Sequence, residues 1–236
     1  MSGIVGPRFG IVQDGLVLNL DAGNTSSYPG TGTDWFDLTS NNNDGVLING
    51  PTFDSANGGS IVFDGVDDYA VIPNSSTLLI FGNSNFSIFS WVYVSSFTQF
   101  SSLIGKADAG ASRREWVLQI SRQATFRPAF ITTDNTSTWS VELNSPNTLN
   151  FNQWYNIGVS RVGSRFDLYI NGISVTNTTN NITVLSNNLN VEIGRLVNNS
   201  TYDFNGRISN ILIYQNKGLS PTEVLQNYNA LKNRYL

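Results

Sequence analysis

The chain has 236 residues, of which 40% are hydrophobic and 12% aromatic, so it is long and apolar enough to bury a full core. Only 13% of the residues are charged, the formal net charge is −4, and the chain contains neither Cys nor His. These counts exclude disulfides, thiolate sites and catalytic arrangements that depend on His, and they imply a surface built from Asn, Ser, Thr and Gln.

The charges are distributed unevenly along the chain. Residues 9–105 contain nine Asp and no Lys or Arg, whereas residues 106–236 contain twelve basic and eight acidic residues. Two halves of one domain that interleave would neutralise each other, which is one interpretation. The other is a cation site in the first half, because clustered carboxylates suit Ca²⁺. The chain is too acidic, and its basic residues are too sparse, for nucleic-acid binding.

The amino-terminal residues have no basic region followed by an apolar one, and no stretch approaches 18 apolar residues. The sequence therefore predicts neither a signal peptide nor a membrane span. The weakly charged polar surface is nevertheless typical of extracellular proteins. A protein that leaves the cell by host lysis, on the surface of a virion, would combine these two properties.

Residues 1–13 form the first predicted element, an arm that precedes a single domain over residues 14–236. The arm contains Ile4, Val5, Phe9, Ile11 and Val12, so it is too apolar for a free tail, and it is too rich in Gly for a regular strand. We expect it to order on a neighbouring subunit or virion protein, and the alternative is that it packs on its own domain.

Short strands with alternating apolar residues follow along almost the whole chain. They are predicted over residues 16–20, 60–63, 69–72, 86–94, 102–106, 115–121, 129–133, 138–143, 155–161, 166–170, 173–176, 190–195 and 207–214. In the strand over 86–94 both alternate sets are apolar, so both of its faces need a cover. The candidates are the irregular stretch over 21–53, the terminal helix and a partner subunit.

Three local signals between and after the strands are specific. The stretch over residues 21–53 is the longest without strand periodicity, which is typical of a functional or ligand-ordered loop. Asn171 and Gly172 separate two strands and predict a type I′ hairpin. Residues 220–223 read Ser-Pro-Thr-Glu, a capping box that predicts one short carboxyl-terminal helix.

Several of these segments, in their joint order, resemble laminin G-like modules of the concanavalin A-like lectin/glucanase superfamily. The segments are GLVLNLD (15–21), DG (44–45), IVFDGVDDY (61–69), FSIFSWV (86–92), QWYNIGV (153–159), LYING (168–172), IGR (193–195), FNGRI (204–208) and LSPTEV (219–224). The resemblance implies an all-β jelly-roll β-sandwich of two antiparallel sheets that binds carbohydrate or protein. The opening segments also look like structural proteins of tailed phages.

The glucanase branch of this superfamily uses closely spaced acids on one strand, and this pattern is absent. The four Glu residues each lack an acidic neighbour within two positions. Asp67 and Asp68 are adjacent, but neighbours in a turn more often accept backbone hydrogen bonds than act as a catalytic pair. The sequence therefore predicts a protein that is not an enzyme.

Two sets of candidate site residues follow. Trp35 and Trp139 lie beside polar loop residues, where an indole can stack on a sugar, although a buried Trp is the alternative. Trp91 and Trp154 lie in apolar strands and are expected in the core. Asp21, Asp34 and Asp67 are the candidate Ca²⁺ ligands, and solvated or turn-forming Asp residues are the alternative; Ca²⁺ is the one cofactor that the sequence suggests.

The leading functional hypothesis is a non-enzymatic virion protein, a head decoration or fibre component, which binds other virion proteins and host surface glycans. A homo-oligomer is expected, with trimers favoured by analogy to phage decorations and fibres. A free carbohydrate-binding lectin module is the second hypothesis, and a glycoside-active enzyme is the third.

Overall fold

The computed structural model describes residues 10–74, 79–96, 100–108, 113–121, 126–134, 138–196 and 202–236. These residues form two antiparallel β-sheets that pack face to face, followed by one short carboxyl-terminal α-helix. The predicted all-β jelly-roll sandwich is therefore confirmed. No helix in the described part of the chain has the length and apolar character needed to cross a membrane.

Sheet A is built around the long strand β16 (Asn205–Gln215), which pairs with β7 (Phe86–Val94) along one side and with both β5 (Ser60–Asp64) and β1 (Leu16–Asp21) along the other. In spatial order its strands are β14 (Ile173–Thr179), β13 (Arg165–Ile170), β12 (Trp154–Val162), β7 (Phe86–Val94), β16 (Asn205–Gln215), β5 (Ser60–Asp64) and β4 (Thr52–Asp54), with β1 (Leu16–Asp21) beside β16. The predicted hairpin joins β13 to β14, and the positive φ angles of Asn171 (51°) and Gly172 (80°) fit a type I′ turn.

Sheet B supplies the opposite layer. In spatial order its strands are β11 (Val141–Asn144), β10 (Arg127–Thr132), β9 (Arg114–Ser121), β8 (Ser101–Ala107), β15 (Val191–Ile193), β6 (Tyr69–Ile72), β3 (Gly45–Ile48) and β2 (Asp34–Trp35). Alternate residues of β9 show how the layers are built, because Trp116, Leu118 and Ile120 join the core between the sheets while Val117 faces outward.

The stretch over residues 21–53 is not one irregular loop, so this expectation was wrong. It contains β2 and β3, which pair with each other, and it ends in the first residues of β4. These strands are two to four residues long, and alternation over so few residues is too short to register as a period. Between them the Asp37 carboxylate organises the turn, since it accepts hydrogen bonds from the backbone N–H groups of Asn19, Thr39 and Asn43.

The outer face of sheet A is covered by the carboxyl-terminal segment, which explains the two apolar faces of β7. Ile88 and Val92 join the central core, whereas Phe89 and Trp91 pack under the helix α1 (Pro221–Leu231) and the residues after it. The Trp91 ring stacks on Tyr235, with centroids 4.2 Å apart. The terminal helix, one of the three predicted candidates, is therefore the cover.

The two ends of the chain meet on this same face. The capping box of α1 is confirmed, because Ser220 and Glu223 exchange side-chain and backbone hydrogen bonds. The Val12 backbone N–H donates to Asn227 (2.8 Å), and the Tyr214 hydroxyl donates to the Val12 carbonyl (2.9 Å). Residues 10–13 of the predicted arm therefore pack on their own domain, and residues 1–9 lie outside the described residues.

Candidate binding face on sheet B

The outer face of sheet B differs from that of sheet A, because no described helix or strand lies over it. Its floor is a small apolar cluster from neighbouring strands and the segment after β15. The cluster consists of Ala107, Val117, Ile131 and Leu196, with Trp139 and Tyr202 packed against it. Both aromatic residues are only half-buried, so each keeps part of its ring surface available.

Flat aromatic and guanidinium groups surround this floor. Tyr202 stacks on Phe100, with ring centroids 5.2 Å apart and an interplanar angle of 8°. The Arg114 guanidinium lies 5.4 Å from the centroid of the Trp139 ring. An aromatic ring flanked by a hydrogen-bond donor combines the apolar and polar contacts that orient a small hydrophilic ligand.

Two polar side chains beside this floor have hydrogen-bonding capacity that the described structure does not meet. Ser102 and Gln119 lie opposite each other in the β8–β9 pairing, and both are buried. Within the described residues, the Ser102 hydroxyl and the Gln119 side-chain carbonyl have no hydrogen-bond partner. Buried polar atoms are nearly always paired, so an unpaired couple under one face is unusual.

An acidic turn connects β5 of sheet A to β6 of sheet B, at the end of the sandwich where the chain passes from one sheet to the other. Carboxylate oxygens of Asp64, Asp67 and Asp68 lie within 4.8 Å of one another. The turn forms because Gly65 adopts a positive φ of 76°, while Asp64 accepts the backbone N–H of Val66 at 2.8 Å. Burial raises the pKa of Asp68, the Asp64 backbone N–H opposes this shift, and the charges of Asp64 and Asp67 add to it.

Asp203, which precedes β16, lies close to this turn. The pairing of Asn205 with Asp64 places the start of β16 beside the end of β5. Burial raises the pKa of Asp203 to about 6. The Arg195 charge lowers this pKa, whereas the charges of Asp67, Asp64 and Glu192 raise it. Arg195 is also bound to Glu192 at 2.8 Å and lies over the Tyr69 ring, so this end of the sandwich carries five carboxylates near one guanidinium.

A family described as the "Concanavalin A-like lectin/glucanases superfamily" (Laminin_G_3) matches residues 64–225. The chain belongs to this family. The matched span runs from the acidic turn to the first turn of α1, and it includes the residues that form the outer face of sheet B. The recognition of a laminin G-like, concanavalin A-like domain is therefore confirmed, and the domain has the fold of a lectin-like binding module.

Solved structures of the same fold include two toxin domains and a carbohydrate-binding one. The binding domain of Paraclostridial Mosquitocidal Protein 1 is 17% identical (TM-score 0.71), with 92% of this chain and 52% of that chain covered. Domain 4 of AbnA, a GH43 extracellular arabinanase from Geobacillus stearothermophilus, solved in complex with arabinotriose, is 18% identical (TM-score 0.68), with 90% and 98% covered.

A third structure is that of botulinum neurotoxin type C, whose cell entry depends on interaction with two ganglioside molecules. It is 13% identical (TM-score 0.70), with 92% of this chain and 51% of that chain covered. The laminin G-like domain thus spans about half the length of the toxin structures that it matches. At these identities the similarity shows the fold alone. No curated protein sequence matches the chain.

The structure separates the two candidate sugar-stacking residues of this laminin G-like domain. Trp139 lies half-buried on the outer face of sheet B, where a ligand can reach it. Trp35 is fully buried between the sheets, because the pairing of β2 with β3 turns its side chain into the core. An indole with no exposed surface cannot stack on a sugar, so the proposal for Trp35 is corrected. Trp91 and Trp154 are buried, as predicted.

The three predicted metal ligands do not meet at one site. The Asp21 carboxylate accepts hydrogen bonds from both terminal guanidinium nitrogens of Arg234, at 2.8 and 2.9 Å, and therefore serves an ion pair. Asp34 is exposed on β2 in sheet B and belongs to no described carboxylate cluster. Only Asp67 lies in the acidic turn. Its neighbours Asp64 and Asp68 were missed as ligands, although their spacing within five residues of Asp67 was a visible signal.

Other residues of the face could not be found from sequence periodicity. Asp203 lies far along the chain from Asp64, and only the pairing of β16 with β5 brings them together. Tyr202 and Phe100 precede strands of different sheets and gain their significance from stacking on each other. Arg114 is in step with the inward-facing Trp116, so alternation would not predict it on the outer face; a register shift in the β8–β9 pairing places it beside Trp139.

Proposed function

We propose that this laminin G-like domain is a non-enzymatic module that binds carbohydrate on the outer face of sheet B. The observation that supports the proposal is the half-buried Trp139, with the Arg114 guanidinium 5.4 Å from its ring centroid, on a face that no described helix or strand covers. The equivalent face of sheet A is closed by α1 and Tyr235 and offers no such surface.

The chemistry of this face suits a sugar. The apolar side of a pyranose ring packs on an indole, while its hydroxyl groups need hydrogen-bond partners around the ring. Arg114 supplies donors, and Tyr202 with Phe100 offers a second aromatic surface across the floor. One structure of this fold was solved in complex with arabinotriose, and another belongs to a neurotoxin whose cell entry depends on gangliosides, which supports the choice of ligand class.

Replacing Trp139 with Ala is expected to weaken glycan binding by about tenfold or more, because the stacking surface is lost while the two sheets stay intact. A glycan array identifies the ligand for the native protein, and calorimetry then measures its affinity for each variant. Phe151→Ala is the matched control, since Phe151 is also a partly exposed aromatic residue but precedes β12 in sheet A.

Two results would count against this proposal. A native protein that shows no saturable binding on a broad glycan array would remove carbohydrate as the ligand class. An affinity that falls as much in Phe151→Ala as in Trp139→Ala would indicate a general loss of stability. Equal melting temperatures for the two variants are required before their affinities are compared.

The alternative to a non-enzymatic binding module is a glycoside-active enzyme with the same fold. The four Glu residues are otherwise engaged or isolated: Glu115 pairs with Lys106, Glu192 with Arg195, Glu223 caps α1, and Glu142 is exposed. Asp67 and Asp68 are the remaining pair. Turnover of a polysaccharide that Asp67→Asn or Asp68→Asn abolishes would establish the enzyme and overturn the non-enzymatic proposal.

We further propose that the domain is displayed on a virion surface as a homo-oligomer, with trimers favoured, and attaches to other virion proteins. Its weakly charged polar composition and the resemblance of its opening segments to tailed-phage proteins support this location. Mass spectrometry of purified particles is expected to detect the chain. Its absence from particles would contradict the virion location.

Deleting residues 1–9 is expected to weaken self-association while leaving the melting temperature unchanged, because the contacts of Val12 with Asn227 and Tyr214 remain. Light scattering at micromolar concentration measures the mass of the full-length and shortened proteins. A full-length protein that is monomeric would contradict self-association. Attachment to a different virion protein would then be the remaining role of this segment.

A further inference from the structure

The outer face of sheet B carries a polar pair, Ser102 and Gln119, beside its apolar floor. The two residues lie directly opposite each other in the β8–β9 pairing. Gln119 is two residues from Val117, which belongs to the floor, so alternation along β9 directs both side chains to the outer face. Ser102 shares this face, because residues directly opposite in a sheet point to the same side. The polar pair therefore forms the cross-strand row next to the floor.

Both members of the polar pair are removed from solvent. The relative exposure is 0% for Ser102 and 4% for Gln119. Among the described residues, neither the Ser102 hydroxyl nor the Gln119 side-chain carbonyl has a hydrogen-bond partner, so the two do not bond to each other either. Buried polar atoms are normally paired, because a polar group taken out of water without a partner destabilises the fold. Two such atoms facing each other under a binding face point to a ligand group that pairs with both.

The spacing of the polar pair restricts which group can satisfy it. Residues directly opposite each other in an antiparallel sheet have Cβ atoms about 5 Å apart. One oxygen atom that makes two hydrogen bonds of about 2.8 Å spans a gap of this size. The Gln119 carbonyl requires a donor, whereas the Ser102 hydroxyl can donate or accept. A hydroxyl group meets both requirements with a single oxygen, but a carboxylate or sulfate has no hydrogen to donate to Gln119.

We propose that Ser102 and Gln119 together bind one hydroxyl group of the sugar and make the outer face of sheet B selective for neutral sugars that carry this hydroxyl. The inference rests on the proposed carbohydrate function and names what that site selects. Trp139 contributes mainly affinity, because an indole offers a flat apolar surface. The polar pair supplies the discrimination, because a sugar without the hydroxyl leaves both buried atoms unpaired.

An aromatic stack lies on the same face, next to the polar pair. Phe100 precedes Ser102 by two residues and stacks on Tyr202, which packs against the floor. Both rings are half-buried, so a sugar on the floor meets them before its hydroxyl reaches the pair. Rotation of side chains at a binding surface is common when a partner binds. We expect the Phe100–Tyr202 stack to rotate and admit the hydroxyl.

The test compares the sugar that binds most tightly on the glycan array with its complete series of monodeoxy analogues, each titrated calorimetrically into the full-length protein. In the native protein, one analogue is expected to bind at least tenfold more weakly than the parent sugar. This difference is expected to disappear in Ser102→Ala and in Gln119→Leu, because neither variant retains the complete pair. Trp139→Ala is expected to weaken the parent sugar and the analogue by the same factor.

Ser60→Ala is the matched control, because the Ser60 hydroxyl is also buried and unpaired among the described residues but lies on β5 of sheet A. It is expected to keep the native affinity and the tenfold discrimination. Gln119→Leu is expected to melt at or above the native temperature, since an apolar side chain of similar size replaces a buried carbonyl without a partner. Ser102→Ala, which removes only an oxygen atom, decides the question if the larger change lowers the melting temperature.

Three results would overturn this inference. The first is a native protein that binds every monodeoxy analogue as tightly as the parent sugar. The second is a discrimination that persists in both Ser102→Ala and Gln119→Leu, which would place its origin elsewhere. The third is a ligand whose affinity depends on a carboxylate or sulfate and on no single hydroxyl. In each case a weaker affinity in Trp139→Ala would leave the proposed carbohydrate function standing, whereas absence of any saturable glycan binding would overturn both.

Discussion

Replacing Lys106 with Met is expected to lower the free energy of unfolding by about 3–5 kcal/mol, because Glu115 then remains buried without its counter-charge. The two charged groups are 3.3 Å apart, and their side chains are 1% and 0% exposed. Asn187 donates its backbone N–H to the Glu115 carboxylate at 3.2 Å, but among the described residues one carboxylate oxygen and the Lys106 ammonium have no other hydrogen-bond partner. Urea denaturation of the native protein and the variant measures the loss.

The double variant Lys106→Met/Glu115→Leu is the control. A buried ion pair replaced by apolar side chains of similar volume is often neutral or stabilising, so the double variant is expected to recover most of the loss. A double variant that is as unstable as the two single changes combined would show that the pair carries no coupling. The effect of Lys106→Met would then come from lost packing of its alkyl chain.

The pH dependence of stability reports on the same pair. Burial raises the pKa of Glu115 from its ordinary value of 4.5 to about 7, against the opposing effects of Lys106 and Asn187. Because the folded-state pKa is the higher one, this stabilising contribution is fully present below pH 4.5 and is lost as the pH rises through 7. The native protein is therefore expected to lose stability between about pH 4.5 and 7, and the double variant is expected to lose less.

Replacing Gly23 with Ala is expected to cost about 3 kcal/mol, because an added methyl group would overlap the Gly58 carbonyl oxygen and the Arg234 guanidinium. Arg234 binds Asp21 through both terminal nitrogens and also donates to the Gly58 carbonyl (3.0 Å). The next residue, Tyr235, stacks on Trp91. Displacement of Arg234 is therefore expected to loosen the cover of sheet A.

Thermal unfolding followed by near-ultraviolet circular dichroism measures this effect, because the Trp91–Tyr235 stack contributes to the aromatic signal. Gly10→Ala is the matched control, since no atom of the described residues lies within 4 Å of a methyl group placed there. The double variant Gly23→Ala/Arg234→Ala removes the overlap with the guanidinium and keeps the overlap with the Gly58 carbonyl oxygen. We expect it to stay unstable, because that carbonyl belongs to the backbone and cannot move away. A Gly23→Ala variant as stable as the native protein would contradict the close packing of Gly23 against Gly58 and Arg234.

The fold could be predicted where short-range patterns determine it. The strand β7 begins and ends where alternation predicted, the Asn171–Gly172 turn follows from residues that tolerate positive φ, and the capping box begins α1. The cover over β7 was anticipated because both of its faces are apolar. Which segment provides that cover depends on tertiary packing of α1 and Tyr235, which local sequence does not encode.

The site could be predicted only in part, for the same reason. Trp35 and Trp139 have similar polar neighbours in the sequence, and the difference between them arises from the pairing of β2 with β3, which buries Trp35. Asp67 and Asp21 were predicted to bind the same metal ion because both lie in the acidic half of the chain. The Asp21 carboxylate instead forms an ion pair with Arg234, near the carboxyl end of the sequence. Contacts between such distant residues follow from sheet topology and not from composition.

The most direct test of the binding face uses the indole N–H signals of the five Trp residues in nuclear magnetic resonance spectra, recorded with and without a saturating glycan. Trp35, Trp91, Trp116 and Trp154 are buried, whereas Trp139 is half-buried on the outer face of sheet B. We expect the Trp139 signal to shift most and the other four signals to change little. An unchanged Trp139 signal beside shifted Trp91 and Trp154 signals would place the ligand on sheet A and contradict it.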